Sequence, residues 1–167
     1  ERKFASLEKN ILEGLRNSDT FENAQVLLGN LLGFVADKVE TEGSPDPWWI
    51  SGSTCIVFED YVNTTSAGEL DVTKARQASS HPDWMETNVA QAAGCTYFPT
   101  IVSPATCIRK AAVPYAKTLH YWALDDFIEW ATMAVATVRE LRATFYEQGD
   151  LVWQANAATT LKDKGLD

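Results

Sequence analysis

Apolar residues recur every three or four positions over the first third of the chain, and this spacing predicts two amphipathic helices. The first covers residues 3–15. The second begins near Thr20 and ends at Gly33, a residue type that commonly terminates helices. Glu22 falls in the first turn of the second helix, where a carboxylate interacts favourably with the helix dipole.

The pattern then changes to alternation, and residues 34–39 are predicted to form a strand. The segment 44–61, SPDPWWISGSTCIVFEDY, contains two short apolar strands joined by a turn that includes Gly52. Acidic residues stand at their outer ends, with Asp46 at the start of the first strand and Glu59 at the end of the second. If the strands pair as a hairpin, both carboxylates lie at the same edge of the sheet. Two carboxylates so placed are suited to hold a hard divalent cation.

Helical spacing returns after the hairpin and a polar loop. A helix over residues 69–80 is expected to end at His81 and Pro82, because proline disfavours helical geometry in the residue before it. Asp83 is placed to cap a further helix over residues 84–93.

The rest of the chain alternates between strand and helix. Residues 95–102 are strongly β-prone, although Pro99 requires an edge position or a break because proline cannot donate to the ladder. The other predicted elements are a short helix at 103–113, a strand at 120–122, a long helix at 124–146 with Asp125 and Asp126 at its start, and a last helix at 151–161. Strands that cluster early and are flanked by helices predict an α/β fold, with a mixed sheet covered on both faces in α/β/α layers.

Length and charge limit the classes of function. A chain of 167 residues is long enough for one domain with a substantial core. Its net charge of −9 argues against general electrostatic binding to nucleic acid. Any such binding must come from a local basic patch or from another domain. No apolar run approaches the length of a membrane span. The chain opens on Glu1 rather than Met, so we expect a fragment of a larger protein.

Cysteine, tryptophan and histidine each allow a structural interpretation. The three cysteines lack CxxC spacing and are expected to be reduced, buried thiols of a cytoplasmic protein, at positions Cys55, Cys95 and Cys107. The six tryptophans could stack on bases, but their placement in strands and helices favours core packing. His81 and His120 are expected in a turn or at the edge of the core rather than as metal ligands.

Short motifs in the first half of the chain resemble those of the PD-(D/E)xK restriction-endonuclease-like superfamily. They are a helix with Glu22 near its start, then LLGF and a strand, then Ser-Pro-Asp before one strand and Phe-Glu at the end of the next. The segment KARQASSHPDW at 74–84 is similar to the helix that follows the site in many members, and the similarity covers residues 20–130. The resemblance implies a single nuclease-like domain, with an N-terminal helix at 1–19, a core at 20–130 and C-terminal helices at 131–167.

The resemblance also implies roles for particular residues. Asp46 and Glu59 are expected to bind Mg²⁺ or Mn²⁺, with Glu22 as a further carboxylate at the same site. The family motif ends in a lysine that orients the attacking water and stabilises charge on the phosphate, but Tyr61 stands at that position here. A phenol can donate a hydrogen bond but carries no positive charge. Lys74 on the following helix is therefore the candidate for the missing cation.

Two functions follow from this pattern. In the first, the domain hydrolyses phosphodiester bonds in nucleic acid, with DNA as the expected substrate and with Tyr61, Arg76 and Gln77 as substrate contacts. In the second, the site is catalytically degenerate and the domain is a nucleic-acid or protein interaction module. Either version is compatible with attachment to other domains, such as a motor, and with a homodimer, and neither requires a membrane.

Overall fold

The computed structural model describes residues 2–166, which form a five-stranded mixed sheet flanked by helices and a separate two-stranded sheet. The helices are α1 (Arg2–Gly14), α2 (Phe21–Leu31), α3 (Val72–Asn88), α4 (Leu124–Thr144) and α5 (Leu151–Asp163), with short 3₁₀ turns at Ala90–Ala92 and Lys110–Tyr115. The strands are β1 (Val35–Asp37), β2 (Trp48–Ser51), β3 (Thr54–Asp60), β4 (Glu69–Leu70), β5 (Thr96–Ser103), β6 (Cys107–Ile108) and β7 (His120–Ala123).

The larger sheet has the strand order β1-β2-β3-β5-β7. The first three strands are antiparallel neighbours, whereas β3 pairs with β5 and β5 with β7 in parallel. Parallel neighbours require a crossover connection, and α3 forms part of the one between β3 and β5. At the β2–β3 hairpin, Gly52 has a φ of +56°, which suits the first central position of a tight hairpin turn.

Helices cover both faces of the sheet, and alternation along β3 separates its side chains between them. Ile56 and Phe58 belong to a core shared with α1, α2 and α4. Cys55 and Val57 point to the other face and pack with Met85 of α3. By the same alternation, Glu59 lies on the α3 face and the next residue, Asp60, on the α2 face. The end of this one strand therefore supplies a carboxylate to each side of the sheet.

Aromatic side chains build the larger core. Trp49 is buried and lies 4.9 Å from Phe58 and 6.3 Å from Trp130, measured between ring centroids. The same cluster includes Ile11 of α1 and Val135 of α4, so helices from the first and last thirds of the chain pack on one core. Core packing is thus the role of Trp49.

The predicted end of the third helix at His81 and Pro82 is wrong. α3 runs without interruption from Val72 to Asn88 and includes Pro82. Buried residues on both sides of the proline, Ala78 before it and Met85 after it, pack against the sheet. This packing outweighs the loss of one backbone hydrogen bond at proline, and Asp83 lies inside the helix instead of capping another.

Two further predictions need correction. Residues 69 and 70 form the short strand β4, and Asp71 caps α3 by accepting from the backbone N–H of Lys74 at 2.9 Å. The short helix expected from residue 103 to about 113 is replaced by the strand β6 and a 3₁₀ turn, because β6 pairs with β4. Local propensity does not reveal this pairing, since its partners are about forty residues apart.

The prediction that Pro99 needs an edge position is met on one side of β5. β5 is continuous through Pro99, which faces Val57 of β3, while the pairing of β5 with β7 begins only at Thr100. The proline therefore lies where β5 has no partner on the β7 side.

The prediction that the cysteines are reduced and buried is confirmed only in part. All three are free thiols, but only Cys55 is buried, and Cys107 is exposed because it lies on the short surface strand β6. Within residues 2–166, no helix is long and apolar enough to cross a membrane.

Substituting Gly29 should destabilise the protein, because this glycine allows α2 to lie against the sheet. A Cβ at Gly29 would overlap the indole of Trp49 and come within 2.7 Å of the Cβ of Ala36. We expect Gly29→Ala to lower the free energy of unfolding by about 1–3 kcal/mol in urea titrations. Asn23→Ala, at an exposed position of the same helix, is the control and should change it by less than about 0.5 kcal/mol. Equal effects of the two substitutions would contradict the close contact.

Candidate functional site

Asp46 is held against the end of β3 by the geometry of the β2–β3 hairpin. Trp48 pairs with Val57, and the backbone N–H of Phe58 donates to the carbonyl of Pro47 at 3.0 Å. Continuing this register places Asp46 opposite Glu59. The Oδ2 atom of Asp46 accepts a hydrogen bond of 2.5 Å from the backbone N–H of Asp60. The expected placement of Asp46 and Glu59 at the same edge of the sheet is therefore seen in the structure.

Glu59 is almost fully buried, and both of its carboxylate oxygens have partners on α3. Only 2% of the residue is exposed. The Nζ atom of Lys74 donates to Oε1, and the Nε2 atom of His81 lies 2.7 Å from Oε2. Lys74 and His81 are seven residues apart, which is close to two helical turns, so they lie on the same face of α3. The helix thus holds Glu59 with two side chains.

These contacts decide the protonation state of Glu59. Burial alone would raise its pKa, but the hydrogen bonds from His81 and Lys74 and their charges lower it by more. Burial acts to lower the pKa of Lys74, and the hydrogen bond and charge of Glu59 reverse this, so that its pKa is raised. Glu59 and Lys74 therefore form a charged pair at neutral pH.

A second group of polar side chains lies on the α2 face. Gln25 is completely buried, and its Nε2 atom donates to Oδ1 of Asp60 at 3.4 Å. Its backbone carbonyl accepts from the indole N–H of Trp49 at 3.0 Å, which ties α2 to β2. The Oε1 atom of Gln25 and the Oδ2 atom of Asp60 are shielded from solvent and have no hydrogen-bond partner.

Glu22 lies one turn before Gln25 on α2 and is half-buried. Its Oε2 atom accepts a hydrogen bond of 2.8 Å from Nζ of Lys38, which also binds the exposed Glu40. Glu22 raises the pKa of both Asp46 and Asp60, so its charge acts on the site although Lys38 partly neutralises it.

Burial and neighbouring charge both disfavour ionisation of Asp46 and Asp60. Burial and then the charge of Glu59 raise the pKa of Asp46 to about 6. Burial and then the charge of Asp46 raise the pKa of Asp60 well above its usual range. The acids at the end of β3 therefore bind protons more tightly than exposed carboxylates do.

The arrangement is not a preformed metal cage. Among residues 2–166, no three His, Cys, Asp or Glu side chains stand together in a way that could hold a metal ion. Glu59 directs one oxygen to Lys74 and the other to His81, so binding a cation through Glu59 requires one of these contacts to open.

The other residues expected at the site lie apart from this cluster. Arg76 and Gln77 are exposed on α3, where Arg76 lies over the ring of Tyr115 at 5.5 Å. Tyr61 is half-buried at the end of β3, and its backbone N–H donates to the carbonyl of Val102. The contact of Arg76, Gln77 and Tyr61 with a substrate stays a prediction. His120, which the sequence places in a turn or at the edge of the core, is exposed at the start of β7, with its ring 5.6 Å from the ring of Phe98.

Three residues of the cluster were missed or misjudged from the sequence. His81 was expected in a turn or at the core edge, yet it is buried inside α3 and binds Glu59. Its spacing of seven from Lys74 was the available signal. Asp60, next to Glu59, and Gln25, three residues after Glu22, were assigned no role. Neighbours on a strand face opposite sides, so only the presence of α2 behind the sheet makes Asp60 part of the site.

Comparison with known proteins identifies no relative: no family model, no curated protein and no solved structure matches the chain.

Stability should depend on pH through Asp46. Its pKa is about 6 in the folded protein and about 3.9 in an unfolded chain, so the folded state binds the proton more tightly. The free energy of unfolding should then fall as pH rises from about 4 to about 6. Asp46→Asn keeps an oxygen for the N–H of Asp60 and removes this dependence. We expect the variant to be more stable than wild type at pH 7.5, with a smaller difference at pH 4.

Urea unfolding at both pH values with a chelator present measures this difference. Asp83→Asn, on the exposed side of α3, is the control for the loss of one negative charge. A stabilisation by Asp46→Asn that is the same at both pH values would show that Asp46 is not the group responsible.

Proposed function

We propose that the chain is a nuclease-like domain that uses a divalent cation to hydrolyse phosphodiester bonds in nucleic acid. The observation that carries the proposal is the convergence of Asp46, Glu59 and Lys74, which come from the start of β2, the end of β3 and α3. Asp46 meets the backbone of Asp60, the residue after Glu59, and Lys74 binds Glu59 directly. The order of the elements, a helix, three antiparallel strands, a helix and a parallel strand, also supports the resemblance to restriction-endonuclease-like proteins.

The residues present fit a hard cation such as Mg²⁺ or Mn²⁺. Four carboxylates act on one another at this edge of the sheet, and they are Glu22, Asp46, Glu59 and Asp60. Two lysines, Lys38 and Lys74, pair with members of this group. Burial and then the charge of Glu59 raise the pKa of Asp46, and a divalent cation would offset both effects. Oxygen ligands are those that Mg²⁺ prefers.

Each side chain has a distinct task in this proposal. When bound, the cation polarises the scissile phosphate and lowers the pKa of a coordinated water. Asp46 and Glu59 anchor it, and Glu22 contributes charge from α2. His81 keeps Glu59 in place from the buried side. Lys74, once it leaves Oε1 of Glu59, brings to the phosphate the positive charge that Tyr61 lacks.

A catalytically degenerate interaction module is the second candidate. The observation in its favour is that both oxygens of Glu59 are occupied by side chains of α3. In that case the Lys74–Glu59–His81 contacts join β3 to α3 and have only a structural role. The net charge of −9 then makes a protein, or another domain of a larger chain, a more suitable partner than DNA.

Hydrolysis can be tested directly with a variant designed to keep its fold. Asp46→Asn combined with Glu59→Gln preserves the size and most hydrogen bonds of both side chains. We expect wild-type protein to cleave plasmid or single-stranded DNA in Mg²⁺ or Mn²⁺, and the double variant to show no cleavage. Persistent cleavage by the folded double variant would exclude this site. Absence of wild-type cleavage, together with no Mn²⁺ binding in calorimetry, would favour the interaction module.

Lys74 should matter for the rate of cleavage. Truncation at this position, which is about a third exposed, leaves no deep cavity, but it removes one partner of the buried Glu59. Thermal melting must therefore show that Lys74→Ala is folded at the assay temperature before its rate is compared. We expect Lys74→Ala to lower kcat by roughly 10²–10³-fold, the scale reported for loss of one transition-state donor. Lys117→Ala, which removes an exposed lysine from another surface, is the matched control. If Lys74→Ala cleaves as fast as wild type, Lys74 does not supply the missing charge.

A further inference from the structure

Two oxygen atoms on the α2 face have no partner within residues 2–166, although both are shielded from water. They are Oε1 of Gln25 and Oδ2 of Asp60, which belong to side chains already joined by the Nε2–Oδ1 hydrogen bond. A buried polar atom without a partner is costly. Two such atoms on neighbouring side chains are placed to share a third group.

Two groups could join both oxygens. A proton on Oδ2 of Asp60 could be donated to Oε1 of Gln25, which makes a neutral acid–amide pair, and the burial and neighbouring acids that raise the pKa of Asp60 favour this pair in the free protein. A cation could displace that proton and bind both oxygens. Asp46, which accepts from the backbone N–H of Asp60, and Glu22, one turn before Gln25, supply the negative charge that would hold the cation. Lys38, which binds Glu22, is shared with Glu40.

We infer that Asp60 and Gln25 on the α2 face, together with Asp46 at the end of β3, form a site for a divalent cation, which is available while Lys74 and His81 hold Glu59. The inference deepens the proposed function and rests on it for the use of the cation. The donors are two carboxylates and one amide oxygen. Mg²⁺ and Mn²⁺ suit such a set, since Mg²⁺ usually keeps several waters and needs only one or two carboxylates.

The site also accounts for the position of Gln25. A buried amide inside an α-helix contributes little to packing, and here its nitrogen binds Asp60 while its buried carbonyl oxygen has no partner within the described part of the chain. The indole of Trp49 binds the backbone carbonyl of Gln25, and this contact fixes the helix turn that carries the amide. The cation would thus be held between a rigid helix and the end of a central strand.

Binding of Mn²⁺ alone, without nucleic acid, tests the inference. Calorimetry and the paramagnetic resonance signal of free Mn²⁺ give the affinity for wild type, Asp60→Asn, Gln25→Met, Glu59→Gln and Asp83→Asn. We expect Asp60→Asn to weaken binding by tenfold or more, Gln25→Met to weaken it less, and Glu59→Gln to weaken it less than Asp60→Asn. Asp83→Asn, which removes an exposed carboxylate, should bind as wild type does.

Folding of the variants is checked by thermal melting. An asparagine at position 60 can both accept from and donate to the amide of Gln25, so Asp60→Asn should melt at or above the wild-type temperature in the presence of a chelator. Added Mn²⁺ should raise the melting temperature of wild type but not of Asp60→Asn. If Mn²⁺ leaves the melting temperature of the wild-type protein unchanged, the inference is overturned in favour of the proton-bound pair.

The outcomes separate this inference from the proposed function. Mn²⁺ binding that depends on Asp60, without DNA cleavage by wild type, supports the cation site and refutes the nuclease. If Asp60→Asn cleaves DNA as fast as wild type and binds Mn²⁺ with unchanged affinity, the cation site is refuted. The proposed nuclease activity is not refuted by this result. Binding that Glu59→Gln abolishes and Asp60→Asn does not would also overturn the inference.

Discussion

A buried carboxylate cannot stay ionised without partners, and Glu59 is the residue at which this constraint shapes the structure. Its two oxygens are bound by Lys74 and His81, so two turns of α3 must lie directly over the end of β3. Removing one partner of such a pair commonly costs about 3–5 kcal/mol, although an apolar replacement of the whole group can be neutral. The contacts therefore indicate a specific arrangement more than extra stability. The contact of His81 with Glu59 also favours helical geometry at His81, the residue at which the following proline disfavours it.

The opposite side of the sheet is fixed by Trp49. Its ring packs on Phe58, its indole N–H binds the backbone of Gln25, and the missing side chain of Gly29 leaves room for it. These contacts place α2 against β2 and β3, and with α2 come Glu22 and Gln25. Two separate packing arrangements, α3 on one face and α2 on the other, thus meet at the last two residues of β3.

This meeting point gives the site its chemical character. Glu59 is ionised and held by Lys74 and His81, whereas Asp46 and Asp60 have raised pKa values because they are buried near other acids. The end of β3 thereby brings together carboxylates that ionise readily and carboxylates that do not. This combination is common at sites that bind cations or move protons. Lys74, paired with the ionised Glu59, adds a positive charge beside them.

The sequence by itself determined the main helices, the hairpin and the placement of Asp46 opposite Glu59, because hydrophobic period and turn residues act locally. The resemblance to restriction-endonuclease-like proteins also singled out Lys74, and the structure places its Nζ atom against Glu59. Only the tertiary structure decided that α3 passes through Pro82, that residues 69 and 70 pair with a distant strand, and that Gln25 and Asp60 belong to the site. Each of these depends on contacts between segments far apart in the chain. The energy of such contacts can exceed local preference, and no local pattern records it.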